Sequence, residues 1–146
     1  KALASLTALK ALEVSGCDSV CWEDGPLLPS ISRLQLGASG HVAINTALPS
    51  LQQLQVYSTD TVMLGGQHFQ AAQLSSLELE DVDKELSASW SQLGSIKMLH
   101  ARFTREFAGE EPLIGAVQLS ALTHLTYLRL EWCDSMGAWA SAQLLL

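Results

Sequence analysis

The chain has 146 residues and a formal net charge of −7, from 8 Lys or Arg against 15 Asp or Glu. Apolar residues make up 48% and charged residues 16%, a composition expected of one folded domain rather than of a disordered or collagen-like chain. No apolar run approaches the ~20 residues of a membrane-spanning helix, and no Lys/Arg cluster supplies the basic patch of a nucleic-acid binder. Membrane insertion and nucleic-acid partners are therefore not expected.

The first predicted strand follows Leu9 and carries Leu12 and Val14. The same frame, L-x-x-L-x-[LV], returns at Ile31/Leu34/Leu36, Leu51/Leu54/Val56, Leu74/Leu77/Leu79 and Leu125/Leu128/Leu130, with a degraded copy at Ile96/Leu99/Ala101. Successive central leucines are 22, 20, 23, 22 and 29 residues apart. A period of about 20–29 residues marks a stack of supersecondary units. One unit cannot bury its own leucines, and the next unit must cover them. The last two apolar residues of each frame are two apart, so they point to one side of a short strand. The preceding ones are three apart and turn in on a tighter bend. Leu3, Leu6, Leu9 and Leu12 taken alone also fit an amphipathic helix. The repeated break to a two-residue step opposes that, as do Gly25-Pro26, Pro29, Pro49, Gly65-Gly66 and Pro112 between frames. The longest interval contains Ala108-Gly109-Glu110-Glu111-Pro112, an expected insertion within a loop from Phe107 to Gln118. The chain opens on Lys1 inside a repeat and closes on Leu144-Leu145-Leu146, which reads as the start of another coil. Residues 1–146 are accordingly expected to be a single solenoid domain cut from a longer chain.

Leu9-Leu12-Val14-Cys17 and Leu125-Leu128-Leu130-Cys133 match L-x-x-L-x-L-x-x-[NC], and on these residues the chain resembles the leucine-rich-repeat family along essentially its whole length. The bracketed place is filled by Cys17, Ser39, Thr59, Val82, Thr104 and Cys133, and its polar group is expected to satisfy backbone at the turn after the strand. The Cys variants are similar to those of intracellular plant-type and F-box-associated repeats. The G-x-[IL]-P signature of plant receptor ectodomains does not occur. The resemblance implies an α/β solenoid: a horseshoe segment of about six repeats, with a parallel β-sheet on the concave face and irregular or helical segments outside. It also implies a binding role. Recognition in a nucleotide-binding immune-type receptor, substrate recruitment in an F-box ubiquitin ligase and scaffolding in a large assembly stay equally open.

Strand residues that face away from the core form rows. They read Ala11, Arg33, Gln53, Ser76, Met98, Tyr127; then Glu13, Gln35, Gln55, Glu78, His100, Arg129; then Ser15, Gly37, Tyr57, Glu80, Arg102, Glu131. The N-terminal half of the rows is small and neutral. The C-terminal half gathers residue types enriched in interface hot spots. Met98, His100, Arg102, Tyr127, Arg129 and Glu131 are therefore the candidate protein-binding residues, with Phe103 and Trp132 beside them. The bland alternative is an ordinary solvated sheet. The tryptophans Trp22, Trp90, Trp132 and Trp139 are expected to plug the outer side, although Trp22, in a turn-rich stretch, could be exposed.

Chemistry is not expected. His41, His68, His100 and His124 fall in different repeats, and no pair has H-x-x-x-H or C-x-x-C spacing for a metal. Gly65-Gly66 lacks the Lys of a phosphate loop. Glu78 to Asp83 is acidic without calcium-loop spacing and reads as a solvated strand exit. No nucleophile sits beside a base, so neither enzyme activity, a cofactor nor a small-molecule substrate is expected. Cys17 and Cys133 are five coils apart, roughly 24 Å at about 4.8 Å per strand, beyond the ~7 Å limit of a disulfide. Cys21 has only Cys17 as a local partner. With no Cys-rich end cap of the kind secreted relatives carry, a reducing, intracellular and cytoplasmic setting is expected. Two functions remain: a module that presents a curved repeat surface to a protein partner, and a structural spacer within a multi-subunit assembly.

Overall fold

The computed structural model describes residues 6–23, 28–104, 116–133 and 139–145. Its strands are β1 (Ala11–Glu23), β2 (Arg33–Asn45), β3 (Gln53–Leu64), β4 (Ser76–Ala88), β5 (Met98–Phe103), β6 (Tyr127–Cys133) and β7 (Trp139–Leu145). A 3-10 turn, Trp90–Leu93, follows β4, and one short helix, α1 (Ala116–Ser120), precedes β6. The six strands β1 to β6 pair in chain order, every pair parallel. This is a solenoid-like stack of coils.

The long strands cannot be straight. Thirteen residues of β2 would extend about 40 Å. The link from Asn45 to Gln53, which pairs with Arg33, reaches at most roughly 28 Å. The strand therefore turns around the core, and each early coil has three sides. The first side carries the leucine frame. The second is another stretch of parallel ladder, in which Val20, Val42, Val62 and Leu86 stack, as do Trp22, Ile44, Leu64 and Ala88. The third is a tight turn. There the N–H of Leu9, Ile31, Leu51, Leu74, Ile96 and Leu125 donates to the carbonyl three residues back, at 3.0–3.4 Å.

The frame predicted from the leucines is the one observed. Leu12, Leu34, Leu54, Leu77, Leu99 and Leu128 form one ladder, and Val14, Leu36, Val56, Leu79, Ala101 and Leu130 the next. Leu34, Leu54, Leu77 and Leu99 are at most 1% exposed. Each such side chain contributes about 1.5–3 kcal/mol by leaving water, and no single coil can supply that burial alone.

Other expectations need correction. The outer segments of the first four coils are strands, and among the described residues helix is confined to the five residues of α1 and the four of the 3-10 turn. The reason lies in the chain: V-x-W, V-x-I, V-x-L and L-x-A alternate at period two and are rich in β-branched residues, which suits a strand and is too short for a helix. The bracketed position holds inward at Cys17, Thr59 and Val82, but Ala38 and Phe103 take that place in their coils, displacing Ser39 and Thr104 by one, and the backbone of Trp132, not Cys133, stands in register with Phe103. The coils at Cys17, Thr59 and Val82 contain one extra residue before it. That residue is left-handed, with φ of 72° at Gly16, 52° at Ser58 and 56° at Asp81, as in a β-bulge that turns the chain.

Leu144 and Leu145 do not begin another parallel coil. They belong to β7, which lies antiparallel on the outer edge of β6. Trp22 is a strand residue packed against the core, and Trp90 packs there too. The side chains of Trp132 and Trp139, the 108–112 insertion and the Gly25-Pro26 turn lie outside the described residues.

Candidate functional site

The first side of the coils carries the outward rows, and their register is the one the repeat phase predicts. Arg33, Gln53, Ser76, Met98 and Tyr127 are successive partners, as are Gln35, Gln55, Glu78, His100 and Arg129. Because the neighbouring leucines face the core, these side chains must face outward.

Met98, His100 and Arg102 on β5 lie directly beside Tyr127, Arg129 and Glu131 on β6. The six candidate residues thus form one patch, two strands wide and three residues long, and all are half-buried. Its charges are largely satisfied within the chain. Arg102 Nε and Nη2 donate to Asp81 Oδ1 and Oδ2 at 2.9 and 3.1 Å, and Arg102 Nη2 lies 3.7 Å from Glu80 Oε2. This forked geometry is the strong form of a guanidinium–carboxylate contact. The Arg102 guanidinium is held above its ordinary pKa first by the hydrogen bond to Asp81, with burial opposing and the charges of Asp81, Glu80 and Glu131 assisting. Arg129 pairs with Glu131. His100 Nε2 is 3.9 Å from Glu131 Oε2, and this buried nitrogen has no hydrogen-bond partner.

The N-terminal half is less featureless than its composition implies. Arg33 Nε donates to Gln53 Oε1 at 2.8 Å, the Gln35 amide donates to Gln55, and Gln55 Nε2 donates to Glu80 Oε1 at 3.4 Å. Arg33, Gln35, Gln53, Gln55, Ser76 and Glu78 line a shallow depression of about 220 Å³. Beside it, the Tyr57 ring lies over Gly37, where an added Cβ would stand 2.5 Å from ring carbon Cε2. Its hydroxyl reaches back two coils to donate to Glu13 Oε1 at 3.3 Å. Glycine at Gly37 is the sequence signal for that ring, legible only once the Gly37–Tyr57 register is known.

Asp81 was outside the predicted rows. The segment Glu78 to Asp83 is mid-strand in β4 rather than a solvated exit. Its left-handed corner swings Asp81 toward Arg102, and Asp83 Oδ1 accepts from Thr104 Oγ1 at 3.3 Å. Among the described residues, no group of three or more His, Cys, Asp or Glu is placed to hold a metal ion. No described helix is long and apolar enough to cross a membrane. Cys17 and Cys21 are free thiols.

Comparison with protein-family models finds no matching family. Neither the curated proteins nor the solved structures show a significant match to this chain.

Proposed function

We propose that this solenoid is an irregular segment of leucine-rich-repeat type that serves as a protein–protein interaction module, with the first side of its coils as the concave, presenting face. One observation carries the reading: Met98, His100, Arg102, Tyr127, Arg129 and Glu131 stand together on two adjacent strands. A rigid parallel ladder presents them with little freedom left to lose on binding. The partner is a protein of an intracellular, cytoplasmic setting. The chain acts by shape, with no catalytic step, cofactor, nucleic acid or small-molecule substrate.

The test is affinity capture from native cells with the chain and with an Arg102→Ala/Tyr127→Ala/Arg129→Ala variant, each checked for folding by circular dichroism. Selective loss of one partner by the folded variant supports the module, and at least one of the three positions should cost more than about 1 kcal/mol of binding. An unchanged partner set removes the patch from consideration. A second reading, a structural spacer without a dedicated ligand, is favoured by the internal pairing of Arg102 with Asp81 and Arg129 with Glu131.

A further inference from the structure

The outward side chains of β2, β3 and β4 stand in two rows. Arg33, Gln53 and Ser76 make the first, and Gln35, Gln55 and Glu78 the second. The shallow depression lies between them. Leu34 and Leu54 also line it, but their side chains are buried, so its floor is backbone.

Hydrogen bonds within the rows fix which atoms are left for a ligand. A guanidinium only donates and a carboxylate only accepts. Arg33 Nε therefore holds Gln53 by Oε1, and the Gln53 amide N–H groups are left over. Glu80 Oε1 accepts from Gln55 Nε2, so Gln55 Oε1 is the atom that accepts from Gln35 Nε2, and the Gln35 carbonyl is left over. Among the described residues, neither the terminal N–H groups of Arg33 nor the Glu78 carboxylate has a partner. The first row thus presents donors and the second presents acceptors.

Arg33 and Glu78 are opposite in sign, so the hollow favours neither an anion nor a cation. Its two rows are two residues apart along each strand, about 6.7 Å at the backbone. A hydroxyl oxygen that accepts at ~2.9 Å and donates at ~2.7 Å bridges about 5.6 Å, within reach of side chains that lean inward. A hydroxyl is also the uncharged group that does both. Tyr57 completes the set at the rim. Its ring is held over Gly37 and its hydroxyl is engaged by Glu13, so it offers a ring face to the C–H face of a sugar. Groups already fixed by mutual contacts lose little freedom on binding.

We propose that the depression on β2 to β4 binds a ring of a neutral, linear oligosaccharide. The sugar hydroxyls accept from Arg33 and Gln53 and donate to Gln35 and Glu78, with Tyr57 as the stacking platform. The sugar is held and not cleaved, because glycoside hydrolysis uses a pair of carboxylates and Glu78 is the one carboxylate among the described lining residues. The site is separate from the patch on β5 and β6 and does not rest on it.

The test is an NMR titration of the isotope-labelled 146-residue chain with the linear glucose hexamers cellohexaose and maltohexaose. Sugar is taken to about 10 mM, well above a Kd on the order of 1 mM. At least one hexamer should shift the side-chain amide signals of Gln35, Gln53 and Gln55. Glu78→Ala removes a charged acceptor and should weaken that binding at least about tenfold. Tyr57→Leu should weaken it as well, whereas Tyr57→Phe, which keeps the ring, should retain it. The backbone spectrum of each variant reports its fold. The proposal is overturned if neither hexamer moves these amides, or if the shifts survive Glu78→Ala in a folded chain. Shifts caused by the zwitterion glycylglycine in place of the sugars overturn it too.

Discussion

Ser58 and Asp81 sit at equivalent corners with φ of 52° and 56°, a conformation that costs a non-glycine residue about 1–2 kcal/mol. At the equivalent corner of the first coil Gly16 adopts it freely. Ser58 is exposed, so Ser58→Gly removes strain without removing packing. Part of that gain is offset by the greater backbone entropy of glycine in the unfolded chain. We expect a net stabilisation of about 0.5 kcal/mol by urea unfolding. Asp81→Gly relieves the same strain but breaks the forked contact to Arg102, and is expected to bring no gain. Equal effects at the two corners would show that the Arg102 contact adds nothing.

At the scale of the element, strand neighbours share work that no single residue reveals. Thr59, 2% exposed, donates through Oγ1 to Gly40 O at 3.1 Å, and so ties the corner of β3 to that of β2. Val82 fills the next rung with the same shape and no hydroxyl. Thr59→Val is thus sterically neutral but leaves the part-buried Gly40 carbonyl without that donor, and should cost about 1 kcal/mol in chemical denaturation. On the second side, Lys84 pairs with Asp60 across β4 and β3. The hydrogen bond to Asp60 comes first among the causes that raise its pKa above the ordinary value, and the Asp60 charge second. A raised lysine pKa stabilises the fold fully below the unfolded value near ~10.4. That contribution is lost as pH rises through the higher folded value. Lys84→Gln should therefore differ from wild type by a small, salt-sensitive amount at neutral pH. The difference should vanish in strongly alkaline titrations, as thermal melts across pH 8–12 would reveal.

For the whole molecule, each strand packs chiefly on its immediate neighbours, so stability is a sum of coil terms and coil–coil interfaces. The central coils hold the completely buried leucines and the ends do not. Amide hydrogen exchange is expected to be slowest in β2 to β4 and at least about tenfold faster in β1, with the ends opening below the global unfolding free energy. Uniform protection along the chain would contradict this picture and point to a single cooperative unit.

The six-fold recurrence of L-x-x-L-x-[LV] was enough to determine the coil, the parallel pairing, the inward ladders and the outward rows. Each follows from the period-two geometry of a strand and from a unit too small to bury its own leucines. The period-two pairs about eight residues further on, Val20/Trp22, Val42/Ile44, Val62/Leu64 and Leu86/Ala88, suit a second strand, but they are too short to oppose the irregular or helical outer segment that the resemblance implied. Only the tertiary structure decided where the corners gain a residue, because one extra left-handed position shifts a side chain by a single step without disturbing the leucine frame. That shift turned Asp81, which stood in none of the expected rows, toward Arg102 and gave it its partner. The placing of Tyr57 over Gly37 and the antiparallel β7 likewise depend on which coil lies beside which. Spacing along one chain cannot carry that information, because these contacts join residues whose types look ordinary until the register sets them side by side.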